Sequence, residues 1–201
     1  DAYDVRLVDN DGKLRVDDKQ VRQGLANALR DYTETIGKGC TPPSAINWKD
    51  PDNNVNFHNK TILMTHNATI SIASKWLDDA NNDKLKPEER AQAKKNYGEL
   101  IATAGFPNKP DGKQMLYRAA VKVGVIFNNA KNKKRAKEFV AFFMEDENLT
   151  PYVEGALGRW YPVMKSAAAR KYWTEDPHRK VVHEQFSAGT VTFEFTKNWK
   201  F

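Results

Sequence analysis

Residues 121–146 constrain this chain more than any other stretch. Val121, Val123, Val125, Ile126 and Phe127 make an apolar run that halts at Asn128-Asn129. Apolar residues two apart share one face of an extended chain, so the run reads as a strand. A basic segment follows with Ala136, Phe139, Val140 and Phe143 at helical spacing, one side of an amphipathic helix. Farther on, Gly158-Arg159-Trp160-Tyr161-Pro162-Val163 sets an aromatic pair between a glycine and a proline, the signature of a loop.

The other elements follow from punctuation and period. Asp9-Asn10-Asp11-Gly12 predicts a turn between two short extended pieces, a small hairpin. Asp17, with Gln20 three residues on, offers a helix start, and Val21, Leu25, Leu29, Tyr32 and Ile36 form one helix face that ends at Gly37 and Gly39. A short helix is expected around Pro51 to His58. Thr61-Ile62-Leu63-Met64-Thr65 has the length and β-branching of a buried strand, with His66 to Thr69 as its exit loop. A helix through Ile72, Trp76 and Leu77 follows, broken at Asn81-Asn82-Asp83. Pro87-Glu88-Glu89 opens the next, with proline and two acids in the first turn. The stretch 108–113 is an exposed turn. Further helices are expected near Leu149 to Leu157, over Ala167 to Trp173, and after Asp176-Pro177. Strands alternating with helices argue an α/β fold.

Composition narrows the function classes. The 201 residues, 40% hydrophobic and 29% charged, are enough for one good core or two small lobes. No apolar run approaches bilayer length, and the acidic, polar start lacks a signal-peptide pattern. The single Cys40 excludes an intrachain disulfide and a cysteine metal cluster. A net charge of +6 raises the question of nucleic acid, but the basic residues are dispersed beside acids such as Glu88-Glu89 and Glu145-Asp146-Glu147, and no nucleic-acid-binding motif accompanies them. His178 and His183 are five apart, off a shared helix face, so no metal site is expected. No P-loop, dinucleotide-binding or nucleophile-elbow pattern occurs, and no cofactor is expected.

Four pieces in order resemble the later part of bacterial extracellular solute-binding proteins of ABC importers, of the carbohydrate type. They are Asp11-Gly12-Lys13-Leu14 with Val16-Asp17-Asp18, then Asn53-Asn54 and Phe57 with Lys60 to Thr65, then Val123 to Phe143, and finally Gly158 to Val163 with Lys165-Ser166. The chain departs from the family pattern at Asn59-Lys60-Thr61, where a glycine is missing, and at Tyr117 to Ala120, which lacks the usual glycines. The resemblance implies a periplasmic-binding-protein type II-like α/β fold. Residues 1–106 would be part of the second lobe, 107–146 a crossing segment with a strand and helix of the first lobe, and 147–201 the return to the second. It implies a fragment, periplasmic or extracytoplasmic, monomeric, and tied to the membrane only through an ABC permease or a missing lipid anchor. The expected ligand is a small organic solute, a carbohydrate or polyol, captured between lobes without any catalysed reaction.

Sugars show C–H faces that aromatic rings cover and hydroxyls that amide, carboxylate and guanidinium groups satisfy. The candidate contacts are therefore His66, Asn67 and Thr69 past the strand at 61–65, and Arg159, Trp160 and Tyr161 in the Gly-Pro loop. Trp48 with Asn54, and Arg118 towards an anionic group, complete the set. Each has a plainer alternative: Asn67 and Thr69 as helix caps, the aromatics as packing, Arg118 as a surface charge. Two other functions remain open, a small hydrolase using paired carboxylates and a basic nucleic-acid or partner-binding module.

Overall fold

The computed structural model describes residues 2–192. The chain divides into two units, one holding residues 2–63, 106–119 and 190–192, the other 64–105 and 120–189.

The first unit opens with the expected hairpin, reduced to one antiparallel bridge between Val8 and Leu14. The Asp9 carboxylate accepts from the amides of Asp11 and Lys13, and Gly12 takes the left-handed conformation that closes the turn. Those amide bonds, the Lys13 one foremost, hold the Asp9 carboxyl below its usual pKa. Helix α1 (Lys19–Gly37) is capped one residue later than the sequence indicates: Asp18 accepts from the amides of Gln20 and Val21 and pairs with Arg15. A 3-10 turn (Pro43–Asn47) and helix α2 (Asp52–His58) follow. Strand β1 (Tyr117–Ala119) pairs in parallel with β2 (Thr190–Thr192), Tyr117 opposite Thr190. Among the described residues of this unit, Val21 is the buried apolar one. The α1 stripe starts there, but its later members Leu29, Tyr32 and Ile36 stand exposed.

The second unit carries most of the core. Helices α3 (Ser71–Ala80) and α4 (Pro87–Lys95) form an antiparallel pair, and a π-turn (Asn96–Leu100) extends α4. Glu89 reaches back to the Lys86 amide, the acid-after-proline start expected for α4. Then come α5 (Lys133–Phe143), α6 (Asp146–Gly155), the short α7 (Lys165–Ala168) and α8 (Lys171–Thr174), and α9 (Pro177–Ser187). One core cluster gathers Ile70, Ala73 and Val182; another gathers Leu149, Val153 and Trp173. Tyr161 packs against both.

Two expectations are corrected. Neither 61–65 nor 121–127 is a strand: both are extended or bent segments without ladder pairing. Strand-forming composition needs a neighbouring strand to bond to, and among the described residues neither run has one. Their side chains are bare accordingly. Leu63 is 96% exposed, and Val121, Val123, Val125 and Phe127 lie between 63% and 77%. The continuous helix expected over 167–173 is two short helices divided at Ala169-Arg170. The described fold is helix-rich α/β with one two-stranded parallel sheet.

Candidate functional site

Helix α3 organises the candidate site of the second unit. Its N-cap position is Ile70, whose own side chain makes no capping hydrogen bond. His66 is exposed, while Asn67 and Thr69 are half-buried on the segment leading into the helix.

The Gly-Pro loop folds onto the same helix. Ser74, wholly buried, places its hydroxyl 2.8 Å from the Leu157 carbonyl. Leu157 and Gly158 take successive positive φ values, 55° and 92°. A side chain on Gly158 would put its Cβ 2.4 Å from Ile70 Cδ1 and 3.2 Å from Arg179 Cγ, so the loop lies flat on Ile70 only because residue 158 has none. Arg159 turns its guanidinium to Asp78 of α3 and to the Ala156 carbonyl.

The next two residues diverge. Trp160 leans on Tyr152, ring centroids 5.0 Å apart, and keeps 41% of its surface exposed. Tyr161 turns inward, stacked on Phe186 at 4.5 Å, edge-on to Trp173 at 5.1 Å, its hydroxyl 3.0 Å from His183 Nδ1. Burial raises its pKa. Tyr161 is thus engaged as core packing, the plainer of its two alternatives.

Trp48, Asn54 and Arg118 belong to the first unit. Trp48 is the half-buried residue closing the 3-10 turn, Asn54 lies on α2, and Arg118 on β1 donates from Nη1 to the Thr192 carbonyl. The other six candidates, His66, Asn67, Thr69, Arg159, Trp160 and Tyr161, are in the second unit.

Sequence reasoning missed the network under the loop. Tyr97, in the π-turn after α4, donates its hydroxyl to Asp176, which also accepts from the amides of His178 and Arg179 and pairs with the Arg179 guanidinium. Burial first, and that bond second, push the Tyr97 pKa well above the ordinary phenol value. Arg179 lies across the Tyr172 ring, 3.9 Å from its centroid. His178 Nε2 faces the Tyr97 carbonyl at 2.7 Å and so carries the proton, leaving Nδ1 to accept from Thr103. The Asp176-Pro177 helix start was legible; its tyrosine and arginine partners, far away or on the next turn, were not.

An open cleft of about 520 Å³ lies along the α3–α4 pair, with Trp76, Leu85 and Ala93 in its walls. The protein's own Lys75 ammonium sits 5.0 Å from the Trp76 ring centroid. Among the described residues no cluster of histidine, cysteine or acids has the makings of a metal site, and no helix is long and apolar enough to cross a membrane.

The family model for bacterial extracellular solute-binding proteins matches residues 4–181 of the chain. No curated protein and no solved structure matches. A match over most of the sequence, in the order of motifs that the residues themselves present, makes the chain a member of the bacterial extracellular solute-binding protein family, acting in the periplasm or elsewhere outside the cytoplasm.

Proposed function

We propose that the protein captures a neutral carbohydrate or polyol and hands it to the permease of an ABC importer, and that these 201 residues are part of a longer, two-lobed molecule. The observation that carries the solute site is the meeting on α3 of the His66 to Thr69 segment with the loop that bears Trp160. A half-exposed indole on that loop, with histidine, amide and hydroxyl groups on the segment leading into the same helix, suits the chemistry of a sugar, one ring face to cover and several hydroxyls to satisfy. Binding requires no bond-making, and a ligand that touches both lobes favours the closed state by its differential affinity.

Bare apolar surface supports the fragment reading. The row Val121, Val123, Val125, Phe127, together with Phe139 and Phe142 of α5, is what a strand and its covering helix leave exposed when the sheet they belong to is missing. On this reading the residues of the first lobe supply that sheet.

A thermal-shift screen of neutral sugars and polyols on the extended, two-lobed protein tests the proposal. A ligand at a hundred times its dissociation constant stabilises the native state by about 2.7 kcal/mol. Spread over the larger unfolding entropy of a two-lobed protein, that corresponds to a rise in melting temperature of roughly 3–5 °C. The 201-residue chain should respond far less. Equal shifts in both, or a response to nucleic acid and to no solute, contradict it.

A further inference from the structure

We infer that Ile70, Ser74 and Asp78 form a latch on α3 that fixes the Gly158 turn and the pose of Trp160, with Arg159 a positioning residue rather than a solute contact; this rests on the proposed solute site.

The three residues are four apart, so they lie in one row along the helix. Each meets a consecutive part of the loop. Ile70 lies under Gly158, the Ser74 hydroxyl under the Leu157 carbonyl, and the Asp78 carboxylate against Arg159. The row therefore grips the two residues whose left-handed conformations turn the chain, and the one that follows them. Left-handed geometry is unfavourable for leucine, so Leu157 holds it only where neighbours enforce it. Ser74 shares its single proton between Leu157 O and Ile70 O, both at 2.8 Å, which ties the turn to the residue directly after the His66 to Thr69 segment.

Arg159 has both terminal nitrogens committed inside the protein, one to Asp78 and one to Ala156 O at 3.4 Å. Two of its five N–H groups are used this way, so Asp78 sets where the guanidinium stands whatever the others do. Trp160 directly follows, leaning on Tyr152 with much of its surface open. Orientation of that indole therefore depends on where Arg159 is anchored. The same helix fixes both loops, so the latch sets their spacing and with it the size of sugar that fits.

Hydrogen exchange across residues 157–160 of the complete chain, in wild type, Asp78→Asn and the charge-swapped Asp78→Arg/Arg159→Asp, provides the test. Asp78→Asn is expected to speed exchange there about two- to fivefold, the range for a partly exposed ion pair. The swap should restore most of the protection. Titration of the two-lobed protein with neutral mono- and disaccharides supplies the second readout. Affinity should fall in Asp78→Asn and recover in the swap, because a latch works in either polarity. A solute contact by Arg159 cannot be replaced by aspartate, so an affinity that falls further in the swap overturns the positioning role. Unchanged exchange in Asp78→Asn overturns the latch itself. If exchange responds as expected while no sugar binds the wild type, the clamp on the turn stands and the carbohydrate reading is the part that fails. Should Asp78→Asn not fold, Arg159→Lys weakens the same pair more gently and is read the same way.

Discussion

Replacing Trp173 by alanine is expected to lower the unfolding free energy by about 3–5 kcal/mol. Trp173 is 1% exposed, the largest fully buried side chain among the described residues. It sits on α8, a helix of four residues that has little stability of its own. What keeps it in place is its indole, set edge-on to Tyr161 at 5.1 Å and to Tyr172 at 5.2 Å, and packed with Leu149 and Val153 of α6. Removing the ring leaves a cavity between α6, α8 and the Gly-Pro loop, which short flanking helices cannot close without shifting Tyr161. Trp173→Phe, which keeps an aromatic edge at the same place, should cost less. Urea denaturation of the three proteins checks the order, and a Trp173→Ala variant as stable as wild type would show that Tyr161 is held by other contacts.

Asp176→Ala is expected to cost a similar amount, about 3–5 kcal/mol, because it breaks a buried ion pair from one side. The carboxylate is 12% and its partner Arg179 11% exposed. Its loss strands the guanidinium, frees the Tyr97 hydroxyl and uncaps α9 in one step. Asp176→Asn keeps an oxygen for the two amides but lacks the charge, so a smaller loss, about 1–3 kcal/mol, separates pairing from capping. The same network sets the alkaline limit. Tyr97 has a folded pKa raised from 10.0 by burial and by the bond to Asp176. A group raised in this way contributes stability that is fully present below pH 10 and is lost as the pH climbs towards the folded value. Stability should therefore fall above pH 10, and Tyr97→Phe should make that fall shallower. An identical slope in Tyr97→Phe would remove Tyr97 from the account.

The structure also shows which kinds of signal a sequence carries. Helices announce themselves locally: Asp176-Pro177, Pro87-Glu88-Glu89 and the acidic pair before α1 each begin a helix within a residue or so of the expected place. Caps and period act within one or two turns, so they are written in adjacent residues. Strands depend on distant partners. Thr61 to Thr65 and Val121 to Phe127 have strand composition yet join no ladder among the described residues, while Tyr117 to Ala119, with no alternation to mark it, forms a ladder with Thr190 to Thr192. The site divides along the same line. Trp160 in its Gly-Pro loop and the polar segment before α3 stood out by residue type. The row Ile70, Ser74, Asp78 had helical spacing but no local sign of the loop that docks on it some eighty residues later.

Solute capture by the surface around Trp160 is the claim on which the functional account rests, and titration calorimetry of the two-lobed protein tests it most directly. With the sugar that stabilises the wild type most, Trp160→Ala should bind at least about tenfold more weakly, the loss expected when a central aromatic contact is removed. Its melting temperature without ligand should stay close to that of wild type, since the ring is already half in solvent. Undiminished affinity in Trp160→Ala would contradict the account.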